Sequence, residues 1–380
     1  MSLDKRFDDI RPYTNDEIPA AMERLASESL LDQVFLWLYP GQPSQDWRNK
    51  LRSVKSSEEL QERIMYPAAE IIIKRTISGF SSSGEENIPL GKGVLYISNH
   101  RDIVLDATLQ QLVLYRNGIP TSEISFGSNL MQSPVIMDLG KSNKMYKVVR
   151  KSVNMRDLVK NSRLLSDYIR DTINRGTSVW IAQHDGRSKE GNDLTDPGLL
   201  NMLSMSMKKD RVGALASLHI VPVAVSYEIE PCDILKVCEV QQTKKQGFYK
   251  KASGEDLISI VTGITQKKGK VHITLCPAIT VEDLKPYAGF AQTEYFYKVA
   301  TLINQRIYSG YKLYGINYAA FDKITGTNEF REHYTEKDIK LLESREMLLP
   351  ASDSQTNAAL KDLLRRLYAN PVMNSLNKAL

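Results

Sequence analysis

Residues 97 to 106, ISNHRDIVLD, place a histidine close to two carboxylates. His100 ends an apolar run that predicts a β-strand, and Asp106 begins a segment that predicts a helix. A histidine at such a strand end can accept a proton near neutral pH, and a carboxylate on its other ring nitrogen would fix the tautomer. Asp106 is the first candidate for that carboxylate and Asp102 the second. In the alternative interpretation Asp106 only caps the helix and His100 is an ordinary strand-end residue.

Two later segments, KVVRKS (147–152) and QHDGRSKEG (183–191), also follow apolar runs and carry basic side chains. A surface loop could present these side chains as a clamp for a phosphate group. Solvated charges and an ordinary polar turn are the alternatives. The candidate binding residues are Arg150, Lys151, Asp185, Gly186, Arg187 and Lys189.

The sequence pattern of the first eighty residues predicts helices. A first helix is expected to start at Asn15 or Asp16 and to continue through LLDQVFLWLYP, and a second to start at Ser56 and kink at Pro67. The segment 80–93, FSSSGEENIPLGKG, has no periodicity and is the expected linker.

Short β-rich runs alternate with helical segments after this linker, which favours an α/β fold with a largely parallel or mixed sheet. One of these runs, IVPVAVSYE (220–228), contains Pro222, so an edge position or a bulge is expected there. The last ninety residues predict helices. We therefore expect a helical N-terminal domain, residues 1–82, and an α/β domain with C-terminal helices, residues 83–380.

The order of four sequence blocks resembles that of the glycerolipid acyltransferase superfamily. The residues within the blocks are most similar to those of its glycerol-3-phosphate acyltransferase branch. That family has an N-H-x-x-x-x-D block, a strand ending in basic residues, an E-G-x-R-S type block and a V-P-V type strand. Five residues separate His100 from Asp106 where the family has four, and the family's glutamate matches Asp185 or, in another register, His184. The matching residues are Asn99, His100 and Asp106; Arg150 and Lys151; Asp185, Gly186, Arg187 and Ser188; and Val221, Pro222 and Val223.

The resemblance implies a mixed sheet flanked by helices and transfer of a fatty acyl group from acyl-CoA or acyl carrier protein (ACP) to a glycerol phosphate-type acceptor. His100 would be the base, Asp106 would hold its ring, and the basic residues would bind the acceptor's phosphate. A backbone N–H or a helix N-terminus would stabilise the oxyanion. No cofactor beyond the acyl donor is expected. Two alternatives stay open: acylation of lysophosphatidate or another lysolipid, and a non-catalytic protein that binds lipid or an acyl carrier.

Composition narrows the classes of protein to which the chain could belong. A net charge of +5 is too small and too dispersed to favour nucleic-acid binding. The three cysteines have no close-spaced metal pattern, and their odd number does not fit a disulfide framework, so we expect no metal site and a reducing compartment.

With no apolar signal region and no run of ~20 apolar residues, we expect a cytoplasmic protein, at most peripheral on the inner face of a membrane. LLDQVFLWLYP could contact lipid, although packing against the protein is the commoner role for such a helix.

Overall fold

The computed structural model describes residues 4–131, 133–149, 154–207, 209–252, 254–350 and 353–376. Within these ranges the strands are β1 (Ile77–Ser83), β2 (Leu95–Ser98), β3 (Glu123–Gly127), β4 (Met145–Val148), β5 (Val179–Ala182), β6 (Val221–Tyr227) and β7 (Gly269–Leu275).

The α-helices of the same ranges fall into three groups along the chain. Before the sheet lie α1 (Ile18–Ser27), α2 (Leu30–Leu38), α3 (Ser44–Arg52), α4 (Ser57–Leu60) and α5 (Tyr66–Thr76). Between the strands lie α6 (Leu105–Arg116), α7 (Pro134–Ser142), α8 (Met155–Asn174), α9 (Pro197–Ser204), α10 (Arg211–Ala216), α11 (Asp233–Gln246) and α12 (Glu255–Thr265). After the sheet lie α13 (Val281–Leu284), α14 (Gln292–Gly310), α15 (Gly315–Thr325), α16 (Glu336–Glu346) and α17 (Ser354–Leu376).

The described strands form one mixed sheet in the order β1-β7-β6-β2-β5-β3-β4. β2 pairs in parallel with β5 and β6, and β3 pairs in parallel with β4 and β5. β7 runs antiparallel to β6 and parallel to β1. The prediction of an α/β fold with a mixed sheet flanked by helices is therefore confirmed. The carboxyl ends of β2, β3 and β5 meet at one edge of the sheet, where α/β proteins place their sites.

Both faces of the sheet are covered by helices, which explains the uninterrupted apolar sequences of the central strands. Alternate residues of β2 point to opposite faces: Leu95 and Ile97 pack with α8, α9 and α14, whereas Tyr96 packs with α5 and α6. All three side chains are fully buried. Burying each contributes roughly 2 kcal/mol of hydrophobic free energy, so the strand that leads to His100 is firmly fixed.

Two expectations for the N-terminal part were wrong. The first helix does not continue into LLDQVFLWLYP, because α1 ends at Ser27 and α2 begins at Leu30. The expected linker is also extended backbone at its start, since residues 80–83 belong to β1. β1 is a sheet-edge strand paired only with β7, so its backbone hydrogen bonds hold it in place and its side chains need no apolar pattern.

The predicted kink at Pro67 stays a prediction, because helical backbone continues from α4 into α5. A π turn, Gln61–Met65, lies between the two α-helices, and Pro67 follows it in the first turn of α5. A π turn at this point is a common place for a helix to adjust its hydrogen bonding around a proline.

The second proline expectation was wrong, because Pro222 lies in neither an edge strand nor a bulge of the β6 pairings. β6 is an interior strand between β7 and β2. The ladder with β7 begins only at Val223, and the Pro222 carbonyl accepts the N–H of Cys276, 2.8 Å away and just beyond β7. The missing amide of Pro222 therefore lies where the β7 ladder has already ended.

The N-terminal and C-terminal helices have their own apolar clusters. α1, α3 and α4 share one cluster, which also contacts α7, and α15, α16 and α17 share another with α11. Arg24 of α1 makes two hydrogen bonds, 2.7 and 2.8 Å, to the buried Asp138 of α7. The division at residue 82 into two domains stays a prediction.

Candidate active site

His100 and Asp106 form a hydrogen-bonded pair at the carboxyl end of β2. His100 Nδ1 lies 2.9 Å from Asp106 Oδ2. The His100 side chain is 11% exposed, whereas that of Asp106 is completely buried. The chain between them turns from β2 into α6, and the five intervening residues are accommodated in that turn. Of the two carboxylates that the sequence offered, Asp106 is the one that contacts the imidazole.

Asp106 is held by three further hydrogen bonds. Its Oδ2 also accepts the backbone N–H groups of Arg101 (2.6 Å) and Asp102 (2.8 Å), and its Oδ1 accepts the hydroxyl of Tyr227 (2.7 Å). Burial, and then the negative charge of Asp106, raise the pKa of Tyr227 well above its usual range, so the phenol stays a donor. Four donors therefore fix the carboxylate that orients the ring.

Asp102 has a different role in the same turn between β2 and α6. Its Oδ1 accepts the N–H groups of Val104 (2.9 Å) and Leu105 (2.8 Å), which caps α6. Burial, together with the nearby charge of Asp106, raises the pKa of Asp102. Asp102 thus occupies two of the N–H groups at the start of α6, and an oxyanion would have to use other donors.

Asn99 joins β2 to β6 beyond the last paired strand residues. Its side-chain oxygen accepts the N–H of Val225 (2.7 Å) and its amide donates to the Val225 carbonyl (3.0 Å). The same amide donates to Asp193 at 3.0 Å. Asn99 is fully buried, so it holds the start of the His100 turn instead of facing a substrate.

A buried charge cluster supports the turn from behind. Arg101 bonds Asp193 (2.6 Å) and Glu230 (3.0 Å), and Lys236 bonds both the other Glu230 oxygen (2.5 Å) and the Arg101 carbonyl (2.7 Å). All four side chains are at most 5% exposed. The two cations balance the two carboxylates, and removing any one member would leave a buried unpaired charge. Sequence reasoning missed this cluster, since no local spacing links Arg101 to partners that lie 92 and 129 positions away.

The third sequence block forms a loop against the same strand end. The backbone N–H of Ser188 donates to the His100 carbonyl at 2.7 Å, and Gly186 has a left-handed φ of 75° that lets the loop turn. Arg187 is 8% exposed, and its Nη1 has no hydrogen-bond partner within the described part of the chain. Lys189 forms an ion pair with Glu239, and burial lowers the pKa of its ammonium group. Asp185 is exposed.

These residues face a cleft of about 890 Å³, within the range of ligand pockets. Most of its apolar lining comes from β3, β5 and the start of α6. Its charged lining comes from the third block, α11, the segment before α12 and the first turn of α12. The apolar lining includes Ile103, Val104, Ala107, Ile124, Phe126, Leu130, Met145, Trp180 and Ala182, and the polar lining includes Asp185, Arg187, Lys189, Glu239, Tyr249, Lys250, Lys251 and Asp256. His100 also lines it.

The structure thus brings five predicted site residues to one cleft, with Asp106 behind His100. These five are His100, Asp185, Gly186, Arg187 and Lys189. Arg150 and Lys151 lie outside the described residues. Among the described residues, no group of three or more His, Cys, Asp or Glu side chains is placed to hold a metal ion.

The chain's resemblance to a known family now has independent support. Residues 79–226 match the family model described as Acyltransferase. This range begins in β1, ends in β6 and contains the His100–Asp106 pair and the third block. The protein is an acyltransferase. The matched range contains three of the four blocks on which the resemblance to the glycerolipid acyltransferase superfamily rests, together with the position of the fourth.

Two solved structures are similar over much of the chain. The 1-acyl-sn-glycerophosphate acyltransferase PlsC from Thermotoga maritima is 15% identical, with a TM-score of 0.33 over 75% of this chain and 92% of that one. The signal recognition particle 54 kDa protein from Aeropyrum pernix K1 is 10% identical, with a TM-score of 0.21 over 90% of this chain and 76% of that one. Likenesses of this strength do not establish a common function. No curated protein matches the chain.

Proposed function

We propose that this acyltransferase moves a fatty acyl group from acyl-CoA or acyl-ACP to the hydroxyl of a glycerol phosphate-type acceptor, with glycerol 3-phosphate as the first candidate. The observation that carries the proposal is the 2.9 Å contact between His100 Nδ1 and Asp106 at the wall of the cleft. A protein that only binds lipid has no need for an imidazole oriented by a carboxylate that three other donors hold in place. The catalytic hypothesis is therefore favoured over the binding-protein alternative.

His100 acts as the general base in the proposed reaction. With Nδ1–H donated to Asp106, Nε2 keeps its lone pair and accepts the proton of the acceptor hydroxyl. The acceptor oxygen bonds to the thioester carbonyl carbon, the C–S bond breaks, and the departing sulfur takes the proton back from the imidazolium. The products are an ester and a free thiol. Asp106 stabilises the imidazolium between these steps.

Arg187 is the proposed partner of the acceptor's phosphate. Its buried Nη1 has no partner within the described residues, so the unbound protein leaves a desolvated cationic donor beside the cleft. Lys189 is already paired with Glu239, so it contributes less to phosphate binding than its charge alone indicates. Arg150 and Lys151 remain proposed phosphate partners from the family resemblance. The apolar lining of the cleft suits the acyl chain.

An acceptor panel tests this proposal. Purified protein is assayed with palmitoyl-CoA or palmitoyl-ACP against glycerol 3-phosphate and lysophosphatidate, each with and without Arg187→Ala. Ester formation on glycerol 3-phosphate, with a raised KM in the variant, supports the proposal. Ester formation only on lysophosphatidate would correct the acceptor and keep the chemistry. No ester from any pair with folded protein would contradict the proposal for these donors and acceptors.

A further inference from the structure

An exposed apolar surface lies beside the cleft, on the outer side of α12. We call it the α12 face; it consists of Phe248, in the segment before α12, and Leu257, Ile258 and Val261 of the helix. Their exposed fractions are 63%, 49%, 57% and 51%. At about 100° per residue the three helical side chains fall within one 100° arc, so they point the same way. Grouped apolar side chains of this size indicate an interaction surface.

The opposite side of α12 touches the catalytic turn. The carbonyl of Ser259 accepts the thiol of Cys232 at 3.2 Å. Gly263 packs so closely on Asp102 that a Cβ there would lie 2.1 Å from Asp102 Oδ2. α12 is therefore a wall one helix thick between the His100 turn and the outside, and whatever binds its outer face lies close to the site.

Four lysines lie before α12 in the chain, two on each side of Phe248. Lys244 contacts the exposed Glu190, and Lys251 contacts the half-buried Asp256; such surface pairs are weak enough to exchange for other anions. Lys245 donates a hydrogen bond to the Thr356 hydroxyl at 3.0 Å, whereas Lys250 has no carboxylate at ion-pair distance within the described residues. Lys250 and Lys251 also line the cleft, so the positive charge continues from the α12 face into the site. The four lysines are Lys244, Lys245, Lys250 and Lys251.

We propose that the α12 face docks on an anionic lipid bilayer. Outward Phe, Leu, Ile and Val side chains suit the headgroup–acyl boundary, and the lysines suit the phosphates above it. An acidic carrier protein would contact the lysines, but its binding would not explain why the apolar side chains of the α12 face are exposed. The proposal rests on the acyl-transfer function and deepens it, because the cleft then opens beside the phase that holds lipid substrates and products.

The helix that the sequence favoured for lipid contact, α2, fits this role less well. Leu36 is 56% exposed, but Leu38 is buried in the main core, and Trp37 packs under the Arg75 guanidinium. Within the described part of the chain, no helix is long and apolar enough to cross a bilayer.

Vesicle co-sedimentation of the full chain tests the docking proposal without turnover. The probes are vesicles of phosphatidylcholine alone and of equal parts phosphatidylcholine and phosphatidylglycerol. We expect binding to the mixed vesicles only. The triple variant Leu257→Ser, Ile258→Ser, Val261→Ser should lose at least about tenfold in affinity, and Lys244→Gln with Lys245→Gln should lose about 30-fold. The variant Met347→Ser, Leu348→Ser changes two exposed apolar residues just after α16; it is the matched control and should bind like the wild type.

Acyl transfer to glycerol 3-phosphate from a short-chain acyl-CoA, measured without vesicles, separates this proposal from the proposed function. Retained turnover in the triple variant, with lost vesicle binding, supports docking. Absence of wild-type binding to mixed vesicles, or equal binding of the triple variant, would overturn it whatever the turnover. Loss of acyl-ACP binding with unchanged vesicle binding would also overturn it and would assign the face to the carrier protein.

Discussion

The two halves of the site differ in how completely their buried cationic side chains are paired within the described residues. In the His100 turn, Asp106 accepts four hydrogen bonds, and the Arg101 guanidinium meets two carboxylates. In the loop 185–189, by contrast, Arg187 keeps a buried N–H without a partner among the described residues. The first half is organised before substrate arrives, whereas the second leaves a donor for something that the chain itself does not supply. Catalytic geometry and substrate capture are thus assigned to separate segments.

This contrast gives different expectations for mutations in the two halves. Changes in the His100 turn should reduce kcat, because the chemistry depends on a prebuilt pair. Changes in the loop should raise the acceptor's KM, because an unpaired donor acts only when its ligand is bound. The following predictions test this division, from the largest effect to the smallest.

Asp106→Asn should have the largest effect. The amide keeps the size of the carboxylate but removes the charge that stabilises the imidazolium and disturbs the tautomer, so kcat should fall by roughly 10³–10⁴-fold. Steady-state kinetics with saturating acceptor measure this. A loss below about tenfold would mean that the Asp106 contact is structural.

Arg187→Ala should raise the acceptor's KM by about 100-fold, since a buried charge-assisted contact to phosphate is lost. Arg187→Lys should recover part of this affinity as a point charge without the planar fork. A reduced kcat with an unchanged KM would place Arg187 at the reacting carbonyl instead and would remove the division between the two halves.

Lys268 tests how strongly burial near Asp102 acts on a charged side chain. The side chain is fully buried, and burial lowers its pKa to about 8 from 10.5. Because the unfolded chain then binds more protons than the folded one, this group adds stability as pH rises from about 8 toward 10.5. Relative to Lys268→Met, the wild type should gain about 3 kcal/mol in free energy of unfolding across that window. Denaturant unfolding at both ends measures it, and parallel pH profiles would contradict it.

Lys189→Gln should have the smallest effect, about threefold or less on the acceptor's KM, because Glu239 already neutralises Lys189. Glu239→Gln is the informative partner variant: it releases Lys189 and should tighten acceptor binding. A loss in Lys189→Gln as large as that in Arg187→Ala would show that Lys189 exchanges Glu239 for the ligand.

The sequence predicted those parts of the site that are local in the chain. His100 and Asp106 are six residues apart, and a strand followed by a helix is enough to bring them together. Tyr227 and Asp193 were missed because they reach the turn from 121 and 92 residues away, through β6 and the loop after β5. β1 was missed because an edge strand of Ser and Gly has no apolar periodicity. Central strands were found more easily, since burial on both faces requires continuous apolar runs.

The most direct test of the central claim is the single-turnover rate of acyl transfer in wild type, His100→Ala and His333→Ala. His333 is exposed in the C-terminal helical part and does not line the cleft, so it is the histidine control. The account predicts a loss of at least about 10³-fold for His100→Ala and little change for His333→Ala. Equal rates for wild type and His100→Ala, or a loss confined to His333→Ala, would contradict the assignment of His100 as the base.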